Sequence, residues 1–432
     1  MDWLDPNLRW VLFGTMLLGI ASGTLGGFAF LRGRSLMGDA LAHAALPGVC
    51  VAFLVGEWLR SRGILGEGGS KNLGLLLLGA SLAGFLAAWC IAGVARHSRI
   101  KEDTSQAIVL SVFFGVGIVL LTRIQHSGAG GQSGLDKFLF GQAASLVISD
   151  VRLMAIVAGV LCLLAFALFK ELKMLCFDAD FGIGLGYPMN RLDALLLLMI
   201  VAAVVIGLQA VGVVLVAALL ITPPAAARFW TDKLSTMIVL SAILGGLSGL
   251  LGTVLSALPS SQGLPTGPMI VLAATFIFAV SVVFAPRRGV IARAWRVLRT
   301  RDKVRRENLL RDWFEILESN EVESTPEAVV SLDELNRKRG GHVTGVLHQL
   351  EKLGLAKSKS HGWVLTQVGL EEAHRVVRNH RLWEMFLMYE TSLGSVSVDR
   401  DADTVEHFLP PEAIGQLEVM LRKNGLEPRL NF

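Results

Sequence analysis

For its first two thirds the chain alternates long apolar runs with short polar gaps, and after residue 286 that pattern stops. The runs fall near 10–30, 42–59, 73–95, 106–122, 151–169, 193–209, 211–227, 233–257 and 268–285. Most reach the ~20 residues that a helix needs to cross a bilayer, which predicts about nine transmembrane helices. The run 211–227 is short and ends in Thr222-Pro223-Pro224, so a broken or partly spanning helix is expected there. From Arg287 to Arg306 comes a basic connector with Ile291, Trp295 and Leu298 at helical spacing, suited to lie along lipid headgroups. Beyond it the periodicity predicts helices over 307–319, 325–337 and 342–353, a hairpin over 356–366 and a long helix over 369–390. That is the order of a winged helix-turn-helix, with 342–353 in the recognition position, and two further helices are expected over 391–424. The expected fold is therefore an all-α polytopic membrane domain (1–286), a juxtamembrane connector (287–306), a winged helix (307–368) and a small helical domain (369–432).

Composition agrees with this division. The 432 residues are 53% hydrophobic, with a mean hydropathy of +0.56, too apolar for an ordinary soluble protein. Residues 1–286 hold 17 Lys/Arg and 14 Asp/Glu, whereas 287–432 hold 23 and 22 in about half the length. Nine spans with a cytosolic C-terminal region put the N-terminus outside. The basic cluster Arg287–Arg306, directly after the last run, is the strongest sign of a cytosolic side. Cys50, Cys90, Cys162 and Cys176 are far apart and form neither a disulfide framework nor a zinc knuckle. The first run has Asp2 and Asp5 before it and no small-residue cleavage site, unlike a cleavable signal.

Three places carry chemistry. In Ser35-Leu-Met-Gly-Asp-Ala-Leu-Ala-His-Ala-Ala-Leu-Pro-Gly48, Asp39 and His43 stand four residues apart. On a helix this stacks them on one face, roughly 6 Å apart along the axis. A carboxylate and an imidazole within an apolar segment point to a polar or ion pathway, and the pair suits divalent manganese, iron or zinc. Pro47-Gly48 is expected to break the helix beside the pair. Between two runs, residues 171–192 set Phe177, Phe181 and Tyr187 among Asp178 and Asp180, an apolar anchor with an acidic rim that suits a partner's groove. In the last third, His380 and Glu384 share one helical face, and Asp403, Glu406 and His407 share one turn. Both sets suit Mn²⁺, Fe²⁺ or Zn²⁺. The chain lacks a Gly-x-x-x-x-Gly-Lys-Ser/Thr phosphate loop, so nucleotide chemistry is expected on another polypeptide.

Residues 9–286 resemble the ABC-3 permeases, the membrane subunits of ATP-driven importers for zinc, manganese and iron. The motifs are Arg34-Ser-Leu-Met-Gly-Asp-Ala-Leu-Ala-His-Ala-Ala-Leu-Pro-Gly48, Leu172–Gly186 and Gln209–Pro223 followed by Ala225-Ala-Ala-Arg228. The resemblance implies a type II importer-like fold in the bacterial inner membrane, with the C-terminal domain in the cytoplasm. It puts Asp39 and His43 on the metal path, and Phe177, Asp178, Asp180 and Phe181 on the coupling helix that docks on a cytosolic ATPase. It also implies an extracytoplasmic metal-binding protein and a second permease copy or paralogue.

Residues 307–424 resemble the diphtheria-toxin-repressor family of iron- and manganese-dependent regulators, through Asn379-His380-Arg-Leu-Trp-Glu384 and Val398–His407. The resemblance assigns His380, Glu384 and Asp399 to one metal site and Asp403, Glu406 and His407 to another. Asn308, Arg311 and Asp399 depart from that family's pattern, Arg311 standing where manganese-type members have Glu. Arg337, Lys338, Arg339, His342, Thr344, Lys357 and Lys359 are the positions that could contact DNA. Two functions compete: a metal permease whose cytosolic domain responds to metal, and a membrane-tethered metal-dependent transcriptional regulator. An anchor needs neither nine spans nor Asp39 and His43, which favours transport.

Overall fold

The computed structural model describes residues 6–34, 37–63, 73–126, 146, 148–257, 264–319, 328–391 and 411–423. The chain forms two compact units, Met1–Arg293 and Ala294–Phe432.

The first unit is helical throughout. Its elements are α1 (Pro6–Leu31), α2 (Met37–Ser61), α3 (Leu73–His97), α4 (Glu102–His126), α5 (Ile148–Ala167), the short α6 (Phe169–Phe177) and α7 (Ala179–Gly184), α8 (Met189–Val211), α9 (Val213–Trp230), α10 (Leu234–Ser256) and α11 (Thr266–Phe284). Among the described residues eight helices are long and apolar enough to cross a bilayer. The ninth expected span is α9, whose 18 residues cover about 27 Å at 1.5 Å per residue. It is parted from α8 by Gly212, whose φ of 89° and ψ of 167° suit only glycine. Pro223 and Pro224 do not end α9, and Pro47 does not break α2. Both helices run on through their prolines, as helices do inside a bundle where neighbours support the freed backbone.

α1 and α2 are the most enclosed of the spans, while α4, α5 and α11 expose most of their surface. Large apolar side chains such as Trp89, Phe166 and Phe276 point outward, as the lipid-facing rim of a membrane bundle requires. α1 packs antiparallel on α10 at backbone contact. A Cβ at Gly19 would lie 2.1 Å from the Gly245 carbonyl oxygen, and one at Gly249 would lie 2.3 Å from that of Thr15. The Gly19/Gly23 and Gly245/Gly249 pairs, four residues apart on each helix, provide this approach. It brings Ser241 Oγ to donate to the Gly23 carbonyl at 2.7 Å, and Thr15 Oγ1 to within 2.9 Å of Thr253 Oγ1.

Ion pairs tie the helix ends. Arg34 reaches Asp193 of α8 (2.8 Å) and Glu102 of α4 (2.5 Å), and Arg32 donates to the Leu175 carbonyl of α6 (3.1 Å). After α9, Asp232 is held by Arg287 (3.0 Å), Arg288 (2.7 Å) and Arg228 (3.1 Å). The hydrogen bond from Arg287, with Arg288 and Arg228 beside it, keeps the Asp232 carboxyl below the usual carboxylate range.

The second unit contains most of α12 (Val290–Ser319), then α13 (Leu332–Arg339), α14 (Thr344–Lys352), β1 (Ala356–Lys359), β2 (Gly362–Leu365), α15 (Gln367–Thr391) and α16 (Pro411–Lys423). The connector and the first helix of the domain, expected as separate pieces, are one 30-residue helix. β1 and β2 pair antiparallel, and Val330 bridges to Trp363, completing the wing. α13 is shorter than the expected 325–337. Ser331 caps it by accepting from the Glu334 N–H, and Gly340, left-handed at φ 68°, ends it. The core gathers Leu309, Trp313, Phe314, Leu335, Leu347 and Leu350 with Trp363 and Val377.

The α1–α10 contact gives a direct test. Gly245→Val adds volume where only backbone fits, and overpacking of this kind costs about 1–3 kcal/mol. It should lower the thermal stability of the detergent-solubilised protein by several degrees. Gly93→Ala, whose Cβ meets nothing within 4 Å, should leave stability unchanged or raise it.

Candidate functional site

α2 starts at Met37, earlier than its apolar run suggests, so Asp39 lies in the first turn and His43 one turn on. Their side chains meet, His43 Nε2 standing 3.4 Å from Asp39 Oδ1, with His43 largely enclosed and Asp39 more open. The His43 ring is edge-on to Phe114 of α4, centroids 4.8 Å apart. Its other nitrogen, Nδ1, is buried without a hydrogen-bond partner. A carboxylate and an imidazole nitrogen together suit a borderline-hard dication.

Gln106 was not singled out by the sequence. It is 1% exposed, and neither its amide oxygen nor its nitrogen has a partner. An unsatisfied buried polar group costs about 1–3 kcal/mol. Eleven residues, three helical turns, separate it from Gly117, whose space is closed by Leu46 and Pro47 of α2. Gln106 is thus on the stripe of α4 that faces α2, toward the end where Arg34 meets Glu102. The available signal was a glutamine in an otherwise apolar stripe, easily taken for a helix-end residue.

The α6–α7 corner presents Phe177 and Phe181 outward, 64% and 59% exposed. Asp178 and Asp180 are also exposed. Asp178 caps α7, its Oδ1 accepting from the Phe181 N–H at 2.9 Å. Gly182 serves packing here: it is buried against Met174 and Met189.

In the second unit, His380 and Glu384 do come together, with Nε2 3.4 Å from Oε1. The hydrogen bond from His380, with Arg311 and Arg381 nearby, holds the Glu384 carboxyl below its usual range. Asp399, Asp403, Glu406 and His407 lie outside the described residues. Among the described residues no group of three or more His, Cys, Asp or Glu stands together where it could hold a metal ion. On the winged helix, His342, Thr344, Arg337, Lys357 and Lys359 are exposed. Lys338 bonds Glu315 and Arg339 bonds Asp312, each at 3.0 Å, so two of the expected phosphate contacts are engaged within the fold.

Residues 5–285 match the ABC 3 transport family. The chain belongs to that family. Residues 366–430 match the iron dependent repressor, metal binding and dimerisation domain. The chain is 45% identical over 430 residues to the manganese transport system membrane protein MntC of Bacillus subtilis, covering 99% of this chain and 95% of that protein. It is 43% identical over 292 residues to the zinc transport system membrane protein TroC of Treponema pallidum, covering 68% of this chain and 93% of TroC. Among solved structures, PsaBC from Streptococcus pneumoniae in complex with Fab aligns with a TM-score of 0.56 and 32% identity, over 66% of this chain and 95% of that one. As a member of this family the chain is a multi-pass protein of the bacterial inner membrane, a permease joined to a repressor-type metal-binding domain.

Proposed function

We propose that this chain is the membrane permease of an ATP-driven importer of a divalent transition metal, and that its C-terminal domain adjusts transport to cytosolic metal. The observation that carries the transport reading is the Asp39–His43 pair, turned toward α4 from one of the two most enclosed spans. A carboxylate and imidazole there are expensive to keep except as ligands on a path. Gln106 adds an amide oxygen to the same α2–α4 face. Relatives named for manganese and for zinc are of similar identity, so the name alone does not choose the metal. The imidazole and carboxylate suit Mn²⁺, Fe²⁺ or Zn²⁺ over calcium or copper(I).

ATP hydrolysis belongs to a separate cytosolic subunit, and the exposed Phe177–Phe181 corner is its docking anchor. An extracytoplasmic binding protein delivers the metal, and a second permease copy or paralogue completes the path. The match to TroC covers 93% of TroC but 68% of this chain, and the transport-family match ends at residue 285, which supports reading the permease part as a unit on its own. The appended domain is then a control element. Direct regulation of DNA is the second reading, favoured by the wing and by exposed Lys357 and Lys359. Against it, Lys338 and Arg339 are paired internally, and residues 307–432 carry 14 Lys/Arg against 21 Asp/Glu. Phosphate contacts supply most of such affinity.

Three outcomes are expected from uptake into proteoliposomes with the partner ATPase, comparing Mn²⁺, Fe²⁺ and Zn²⁺. Asp39→Ala and His43→Ala should abolish uptake with expression intact, and Gln106→Leu should lower it at least tenfold without loss of stability. Wild-type rates in the Asp39 and His43 variants would remove the pathway reading. Charge reversal at Asp178 or Asp180, or Phe181→Ala, should uncouple ATP hydrolysis from transport; unchanged metal-stimulated hydrolysis in all three would put the docking surface elsewhere. Truncation after Arg299, or Glu406→Ala with His407→Ala, should relieve inhibition by internal metal. Identical uptake curves would exclude gating, and metal-dependent binding of promoter DNA by the C-terminal domain would favour the second reading.

A further inference from the structure

The repressor-type domain implies a metal at His380 and Glu384, and the residues around that pair do not fit one. Arg311 of α12 lies against α15 with its Nη1 3.1 Å from His380 Nδ1 and 3.3 Å from Nε2. Its Nε is 3.6 Å from Glu315 Oε1. Arg311 is 8% exposed and His380 4%, so the contact is shielded from water. A guanidinium only donates hydrogen bonds, so the ring nitrogen facing it must accept. Nη1 stands almost equally near both nitrogens, so whichever of them holds the lone pair lies within 3.3 Å of the guanidinium. A metal bound through the imidazole would need that lone pair, with the guanidinium already beside it. It would also bring two positive charges beside a buried guanidinium that cannot lose its proton.

We propose that the Arg311 guanidinium is the resident cation of the His380–Glu384 pocket. It excludes a divalent metal there and pins α12 to α15 whether or not metal is present. This inference concerns the proposed regulatory role and is independent of the transport reading, because its readout is bound metal and not uptake.

The test counts Mn²⁺ bound per chain by equilibrium dialysis of the full-length, detergent-solubilised protein. His380→Ala should leave the wild-type count unchanged. Arg311→Glu, which replaces the cation by a carboxylate facing His380 and Glu384, should gain about one equivalent, and His380→Ala in the same chain should remove it. Thermal unfolding of each variant confirms that the domain is folded before it is counted. Loss of one equivalent on His380→Ala alone, or no gain in a folded Arg311→Glu chain, would overturn the proposal.

Discussion

A polar side chain inside an apolar bundle must find a partner there, because neither lipid nor packed hydrocarbon will hydrogen-bond to it. Most of the polar groups of the membrane unit obey this by local means. Thr15, Ser241 and Thr253 return their hydroxyls to backbone carbonyls or to one another. Arg32 and Arg34 are bound by Asp193, Glu102 and the Leu175 carbonyl. Against that background, His43 Nδ1 and the Gln106 amide, like Glu171 Oε2, are buried and unpartnered among the described residues, the first two on facing helices. Structure alone gives no reason to keep them, since leucine in place of Gln106 would remove the penalty. Under the proposed transport role a translocated cation would give one, because it needs ligands that no internal partner already occupies.

Two glycine-rich crossings set how the helices of the bundle face one another. Close approach of α1 and α10 rests on backbone contacts that admit no side chain. α2 crosses α3 in the same way, a Cβ at Gly48 lying 2.2 Å from the Gly79 carbonyl oxygen. Fixing α2 from the α3 side leaves its Asp39–His43 face turned to α4. A looser crossing would let α2 rotate and turn the pair away from α4.

Much of this was legible in the sequence. Length and hydropathy placed the spans, and the four-residue spacing placed Asp39 against His43. What was not legible depended on tertiary context. Pro47, Pro223 and Pro224 read as breaks, yet each sits within a continuous helix, because a packed bundle tolerates the hydrogen bond a proline removes. Gln106 could not be separated from a surface residue until α4 was packed on α2. Arg311 was visible as a departure from the regulator pattern. That its guanidinium reaches the imidazole of a residue 69 positions away was not. The connector and the domain's first helix differ in composition but share one helical periodicity, so a boundary drawn by charge cut through a single element.

The repressor-type domain poses a question of occupancy. A ligand shifts a protein between states only by binding one state better than the other. A pocket filled by a covalently tethered cation has the same occupancy at every metal concentration, so it can contribute rigidity but no metal dependence. In the His380–Glu384 pocket the attraction that a free dication would supply is instead intramolecular and permanent. It carries none of the ordering cost that a dissociable ion pays on binding. One consequence is that α12 and α15 stay packed through changes in cytosolic metal. A second is that any graded response of this domain must arise from donors other than His380 and Glu384, acting against a scaffold that Arg311 has already set.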